Sequence, residues 1–203
     1  MAKLCLQKAF RLLNNINNRH EETTLALNRE WLAAAAEMIQ TRVDEGFEPS
    51  MLTLMFKDMK GSEASRRRLM TNVATDIYSD LLPRLIKRIK SKTLMELPFF
   101  LGCVDWPVPK KHFKALDGIH HNDGMHFGGL YLVPPKARTA SNLMDIVERS
   151  RPVLMRSGLL TAIHVEPVLF SPEKATRYVL KSLERFRIGN EEVLVLPRSR
   201  SEM

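Results

Sequence analysis

In LTAIHVEPVLFSPEKATRYVLKSLERFRIG, residues 160–189, an alternating strand runs into the most clearly signalled helix of the chain. Ile163 and Val165 alternate with His164 and Glu166, so a strand from Leu160 to Val168 turns its apolar pair to one face and its polar pair to the other. Ser171 suits an N-cap, Pro172 the first helical position and Glu173 the first turn. The helix is expected to run to about Arg187 and to stop at Gly189. At about 100° per residue, Lys174, Tyr178, Lys181 and Arg185 share one narrow stripe. Ala175, Val179, Leu183 and Phe186 form the core stripe, about 100° away. Tyr178 therefore stands among cations and off the core. Positive neighbours favour an ionised phenol and bind phosphate, which makes Tyr178 a candidate nucleophile with Lys181 as its partner. A tyrosine covering the edge of the core is the plainer alternative.

Upstream of this unit, strands and helices follow one another without repeats. MHFGGLYLV (125–133) reads as a strand ended by Pro134-Pro135, and LPFFLGCV (97–104) as an earlier strand that pairs with it antiparallel. Between them lies a polar stretch from Lys110 to Gly124. MLTLMFK (51–57) is a short buried strand bounded by Pro49-Ser50 and Gly61. A long helix from Ser62 to about Lys90 follows, with Leu69, Val73, Ile77, Leu81 and Leu85 as its expected core row and Pro83 as an expected kink. Another helix carries Leu143, Ile146 and Val147, and Glu192–Leu196 closes the chain as a last strand. Residues 2 to 46 read as two helices, one through Leu4, Phe10, Leu12, Leu13 and Ile16 and one from Thr23 or Thr24 to Gly46. They carry no chemical signal; a DNA clamp, an oligomerisation element and a packing extension all stay open. The division expected is a helical extension over 1–48 and one domain over 49–203.

The chain has 203 residues, 44% of them apolar, enough for one generous core. No run reaches the roughly 20 apolar residues that span a bilayer, and Lys8 and Arg11 interrupt any leader-like segment. With Cys5 and Cys103 as the only cysteines, a disulfide framework and a cysteine zinc site are excluded, which suits a cytoplasmic protein without membrane contact. Both thiols are expected in the interior. The formal charge of +8 favours a polyanionic partner. Arg66, Arg67 and Arg68 begin one basic cluster, which continues through Arg84, Lys87, Arg88, Lys90 and Lys92. Lys174, Arg177, Lys181, Arg185 and Arg187 make another, and Arg198 and Arg200 end the chain. Such faces track a phosphate backbone or simply stay solvated. GxxxxGK[ST] and G-x-S-x-G are both absent, so P-loop and serine-hydrolase chemistry are set aside.

The order strand, long helix, strand, histidine-bearing strand, strand, then a helix with Tyr-x-x-Lys resembles the HUH endonucleases, the replication initiators and relaxases of plasmids and filamentous phages. MLTLMFK is similar to their first motif, MHFGGL to their metal-binding strand, and HVEPVLFSPEKATRYVLKSL (164–183) to their tyrosine motif. The resemblance covers roughly residues 50 to 187, and only the tyrosine motif is specific. It implies an α+β fold, a central antiparallel sheet of four or five strands with flanking helices. It also implies single-strand DNA nicking and joining through a 5′-phosphotyrosine on Tyr178, with Lys181 beside it. The family's divalent cation, Mg²⁺ or Mn²⁺, would sit on a His-x-His strand, and the substrate would be single-stranded or extruded DNA. Here the strand reads His126-Phe127-Gly128, so one histidine is replaced by a residue without a ligand atom. Candidates to join His126 are His164 and Glu166, then Asp105, then His120 or His121. Trp106, Phe113 and Tyr131 are candidate base-stacking rings, with packing as the alternative for each. A relative that binds DNA without cutting it, a single-tyrosine transposase and a non-enzymatic helical interaction protein are the competing expectations. The oligomeric state stays open.

Overall fold

The computed structural model describes residues 22–106, 121–138, 142–169 and 171–198. The first expected helix, Cys5, Phe113, His120, Arg200 and the side chain of His121 lie outside the described residues. The remainder is an α+β fold built on one antiparallel sheet. In chain order it runs α1 (Glu22–Asp44), β1 (Glu48–Phe56), α2 (Glu63–Leu85), β2 (Phe99–Asp105), β3 (His126–Val133), α3 (Leu143–Leu154), β4 (Leu160–Pro167), α4 (Pro172–Val179), α5 (Lys181–Glu184) and β5 (Leu194–Leu196). Across the sheet the order is β4-β1-β3-β2-β5, and every neighbouring pair is antiparallel.

Strand alternation feeds two cores. Leu52, Leu54, Phe100, Phe127, Tyr131 and Ile163 point to one face, where α2 and α3 cover them. Phe99, Leu101, Cys103, Leu130 and Leu132 point to the other, against α1, α4 and α5. In α1 the residues Trp31, Leu32, Ala35, Met38 and Ile39 recur at helical spacing and are all buried there, so packing accounts for this helix. Each large side chain so buried contributes about 1.5–3 kcal/mol, well above the few tenths that separate ordinary residues in helix propensity. The second helix layer is incomplete: among the described residues of β1 and β4, no fully buried side chain belongs to that core. Thr53 is half-buried and His164 and Glu166 are exposed, which leaves that half of the sheet open.

Several boundaries differ from the expectations. Helix α2 starts behind its Ser62 cap, whose hydroxyl accepts from Ser65 N at 3.2 Å, but ends at Leu85 rather than Lys90. Pro83 falls in its last turn and does not split it. Leu69 is 37% exposed, because positions four apart drift about 40° per step around a helix; the buried stripe is Met70, Val73, Ala74, Ile77, Tyr78, Leu81, Leu82 and Leu85. The tyrosine helix is broken at Leu180, where φ −94° and ψ 17° leave the helical region. The break lets Leu180 and Leu183 both enter the core. Phe186, expected in the core stripe, is instead 52% exposed at φ 55°, and the helical segment ends at Glu184 rather than at Gly189.

The candidate active site

The open half of the sheet is the floor of the site. Thr53 on β1 lies opposite His164 of β4 on one side and Gly128 of β3 on the other, and Gly128 lies opposite Cys103 of β2. One row along, His126 is opposite Asp105. Period-two alternation turns all of these to the face that carries α4. A cleft of about 160 Å³ opens there between the sheet and the helix. Its walls include Thr53, His126, Gly128 and Asp105 from the sheet, His164 and Glu166 from the edge strand, and Tyr178 from α4.

Asp105 anchors the inner wall. It is only 5% exposed, yet each carboxylate oxygen has a donor. Ser182 Oγ donates to Oδ1 at 2.7 Å; Lys181 Nζ lies 2.5 Å and His126 Nε2 3.4 Å from Oδ2. Burial alone would raise the Asp105 pKa. The hydrogen bonds from His126, Lys181 and Ser182, with the Lys181 charge, outweigh it and hold the carboxyl down at about 2. The break at Leu180 is what allows Lys181 and Ser182 to turn inward together. Ser182 is the member of this network that sequence reasoning missed; a serine beside Tyr-x-x-Lys carries no pattern of its own.

Lys181 also faces outward. Its ammonium lies 4.5 Å from the centre of the Tyr178 ring, a cation–π distance. Tyr178 itself is 55% exposed at the mouth of the cleft. The expected Tyr178–Lys181 pairing is therefore present, with Lys181 fixed from beneath by Asp105. His126 has an oxygen beside each ring nitrogen, Nδ1 lying 3.1 Å from Gly124 O and Nε2 3.4 Å from Asp105 Oδ2. Gly128 contributes space: a Cβ built there meets no atom within 4 Å. Cys103, buried as expected, donates to Val179 O at 3.3 Å, and burial pushes its thiol far up, so it is no nucleophile.

The remaining candidates divide. His164 and Glu166 line the same cleft as His126 and Asp105, but among the described residues no three His, Cys, Asp or Glu side chains come close enough to hold one ion. Tyr131 is fully buried on the opposite face, packed on Tyr78 and Phe100, and is not a stacking platform for a base. Trp106 is half-buried between two guanidiniums, 6.0 Å from Arg67 and 5.9 Å from Arg187. Arg66 pairs with Asp123 at 3.1 Å, Arg67 with Glu192 at 3.2 Å and Arg177 with Glu184 at 2.5 Å. Arg68, Lys174 and Arg185 are exposed and have no ion-pair partner among the described residues. No helix among the described residues is long and apolar enough to cross a membrane. No family model, curated protein or solved structure matches the chain, so the reading of its function rests on this cleft.

Proposed function

We propose that the protein cuts and rejoins single-stranded DNA through a covalent 5′-phosphotyrosine on Tyr178. The observation that carries this reading is a half-exposed tyrosine at the mouth of a polar cleft, with an ammonium 4.5 Å from its ring and a buried carboxylate holding that ammonium. The phenolic oxygen attacks the scissile phosphorus and forms the new O–P bond while the bond from phosphorus to the 3′ oxygen breaks. The proton given up by the phenol is balanced by one taken by the leaving oxygen, so a free 3′-OH results and the reverse step reseals the strand. Lys181 favours negative charge on the phenolic oxygen and on the phosphate. The strand must be single or extruded to bring its phosphate to the cleft. Exposed Lys174, on the helix of Tyr178, and exposed Arg185, just past α5, supply backbone contacts.

The resemblance also implies Mg²⁺ or Mn²⁺, and the described residues do not fit such an ion. Gly128 offers no donor, His126 Nε2 faces Asp105, Asp105 is engaged by Lys181 and Ser182, and His164 and Glu166 do not come close enough among the described residues to share an ion with them. A second reading, a DNA-binding relative that does not cut, is favoured by Gly128 alone.

Both are tested by incubating the full chain with single-stranded oligonucleotides, with Mn²⁺ and with EDTA. A protein–DNA adduct that survives denaturing electrophoresis and is lost in Tyr178→Phe supports nicking. Salt-sensitive binding without an adduct across many sequences supports the second reading; absence of both removes DNA as the partner.

A further inference from the structure

We infer that the ammonium of Lys181 occupies the cation position of this cleft, so that the site carries its own positive charge and takes up no divalent metal. As a statement about catalysis, this rests on the role proposed for Tyr178; as a statement about the cleft, it stands on geometry.

A divalent ion held by this wall would need Asp105 first, since it is the carboxylate beside His126. Both oxygens of the carboxylate are already engaged. Oδ2 lies 2.5 Å from Lys181 Nζ, and Oδ1 accepts from Ser182 at 2.7 Å. An Mg²⁺ ion bound there would sit about 2.1 Å from the same oxygen, bringing a double charge up against an ammonium that has little room to leave. Lys181 is only 15% exposed and lies between Asp105 and the Tyr178 ring. His126 supplies at most one ligand. Its Nδ1 is engaged with Gly124 O, the kind of bond that orients a metal-binding imidazole, and its Nε2 already faces Asp105 Oδ2 at 3.4 Å, so an ion there would have to take Nε2 from that carboxylate. A third is not in place: Gly128 has no side chain, and His164 and Glu166, though in the same cleft, do not come close enough to His126 and Asp105 among the described residues to share an ion. The ammonium, by contrast, is already in place. It lies between the carboxylate that fixes it and the ring of Tyr178, 4.5 Å from the ring centre, and it requires no open coordination position.

The test has a metal arm and a DNA arm. In the metal arm, Mn²⁺ is titrated into the full chain and followed by calorimetry and by the paramagnetic resonance signal of free Mn²⁺. Wild type and Lys181→Arg are expected to show no saturable uptake up to millimolar ion. Lys181→Met combined with Gly128→His removes the internal cation and adds an imidazole; it is expected to bind at least an order of magnitude more tightly than wild type. Circular dichroism confirms that the double variant is folded, and the wild-type titration decides the point if it is not. Saturable Mn²⁺ binding by wild type that disappears in Asp105→Asn or His126→Ala overturns the inference. In the DNA arm, adduct yield that is unchanged by EDTA, falls by a hundredfold or more in Lys181→Met and partly returns in Lys181→Arg supports it. Adduct formed only with metal overturns it. Failure to form adduct under any condition counts against the role of Tyr178, and the metal arm still decides the occupant of the cleft.

Discussion

Gly102 and Gly129 stand opposite each other on β2 and β3, and the rings of Phe100 and Phe127 occupy the space their side chains would need. A Cβ on Gly129 would lie 2.4 Å from Phe100 Cε2, and one on Gly102 would lie 2.7 Å from both Phe127 Cε1 and the backbone oxygen of Gly128. Gly102→Ala and Gly129→Ala are each expected to lower stability by about 1–3 kcal/mol, the usual cost of overpacking. Gly128, next in the chain but facing the cleft, meets nothing. Gly128→Ala is expected to stabilise by about 0.5 kcal/mol, since alanine restricts the unfolded chain more than glycine does. Denaturant unfolding of the three variants checks the contrast; equal losses at 128 and 129 would refute the assignment of the two faces.

The two buried tyrosines of the first core are predicted to respond oppositely to loss of their hydroxyls. Tyr78 donates to Pro98 O at 2.9 Å, whereas the hydroxyl of Tyr131 has no hydrogen-bond partner among the described residues. Tyr78→Phe is expected to cost about 1 kcal/mol, the net worth of an ordinary hydrogen bond. Tyr131→Phe is expected to stabilise by about 1 kcal/mol, because it removes a desolvated group that nothing satisfies. Thermal melts of both variants give the sign directly.

Much of the frame is legible in local pattern. The alternation at Ile163–Glu166, the capping at Ser62, the proline and acidic residue that open α4 and the exposure of Tyr178 all express rules that act within a few residues. What local pattern could not supply was the choice between near-equal partners at longer range. Nothing near Leu180 forbids the helix from continuing; it breaks there where Lys181 and Ser182 meet Asp105, 76 positions from Lys181, and where Leu180 and Leu183 are both buried. Phe186 was placed in the core by extending the same helix, and the break carries it out. The double glycine at 128 and 129 looks uniform in sequence, yet one residue yields to aromatic packing and the other opens the cleft. Strand alternation assigns opposite faces, but only the sheet order reveals what lies over each.

The Asp105 network should leave a signature in acid. Its carboxyl is lowered from the ordinary 3.8 to about 2 in the folded protein. A depressed carboxylate contributes stability above its unfolded value and loses it as pH falls through the folded one. Unfolding free energy should therefore drop between about pH 4 and pH 2, and Asp105→Asn should flatten the profile over that window. At neutral pH the same substitution should cost about 3 kcal/mol, since it strands a half-buried ammonium. A variant whose profile matches wild type below pH 4 would show that the network does not form.

DNA binding should separate the free cations from those already engaged. Lys174 and Arg185 are exposed and unpaired among the described residues, on the segment that carries Tyr178. Arg66 and Arg67 belong to α2, on the other face of the sheet, and are tied to Asp123 and to Glu63 and Glu192. A cation that contacts phosphate releases counterions, and each such contact on a single strand adds about 0.7 to the slope of log K against log salt. Lys174→Gln and Arg185→Gln are each expected to weaken oligonucleotide binding and reduce that slope by about 0.7. Arg66→Gln is expected to leave the slope unchanged and to alter stability by less than about 1 kcal/mol, as for an exposed ion pair. Fluorescence anisotropy across a salt series measures all three. A slope that falls with Arg66 but not with Lys174 or Arg185 would place the DNA on the helical face opposite the cleft, and Tyr178 could not then reach the strand it is proposed to cut.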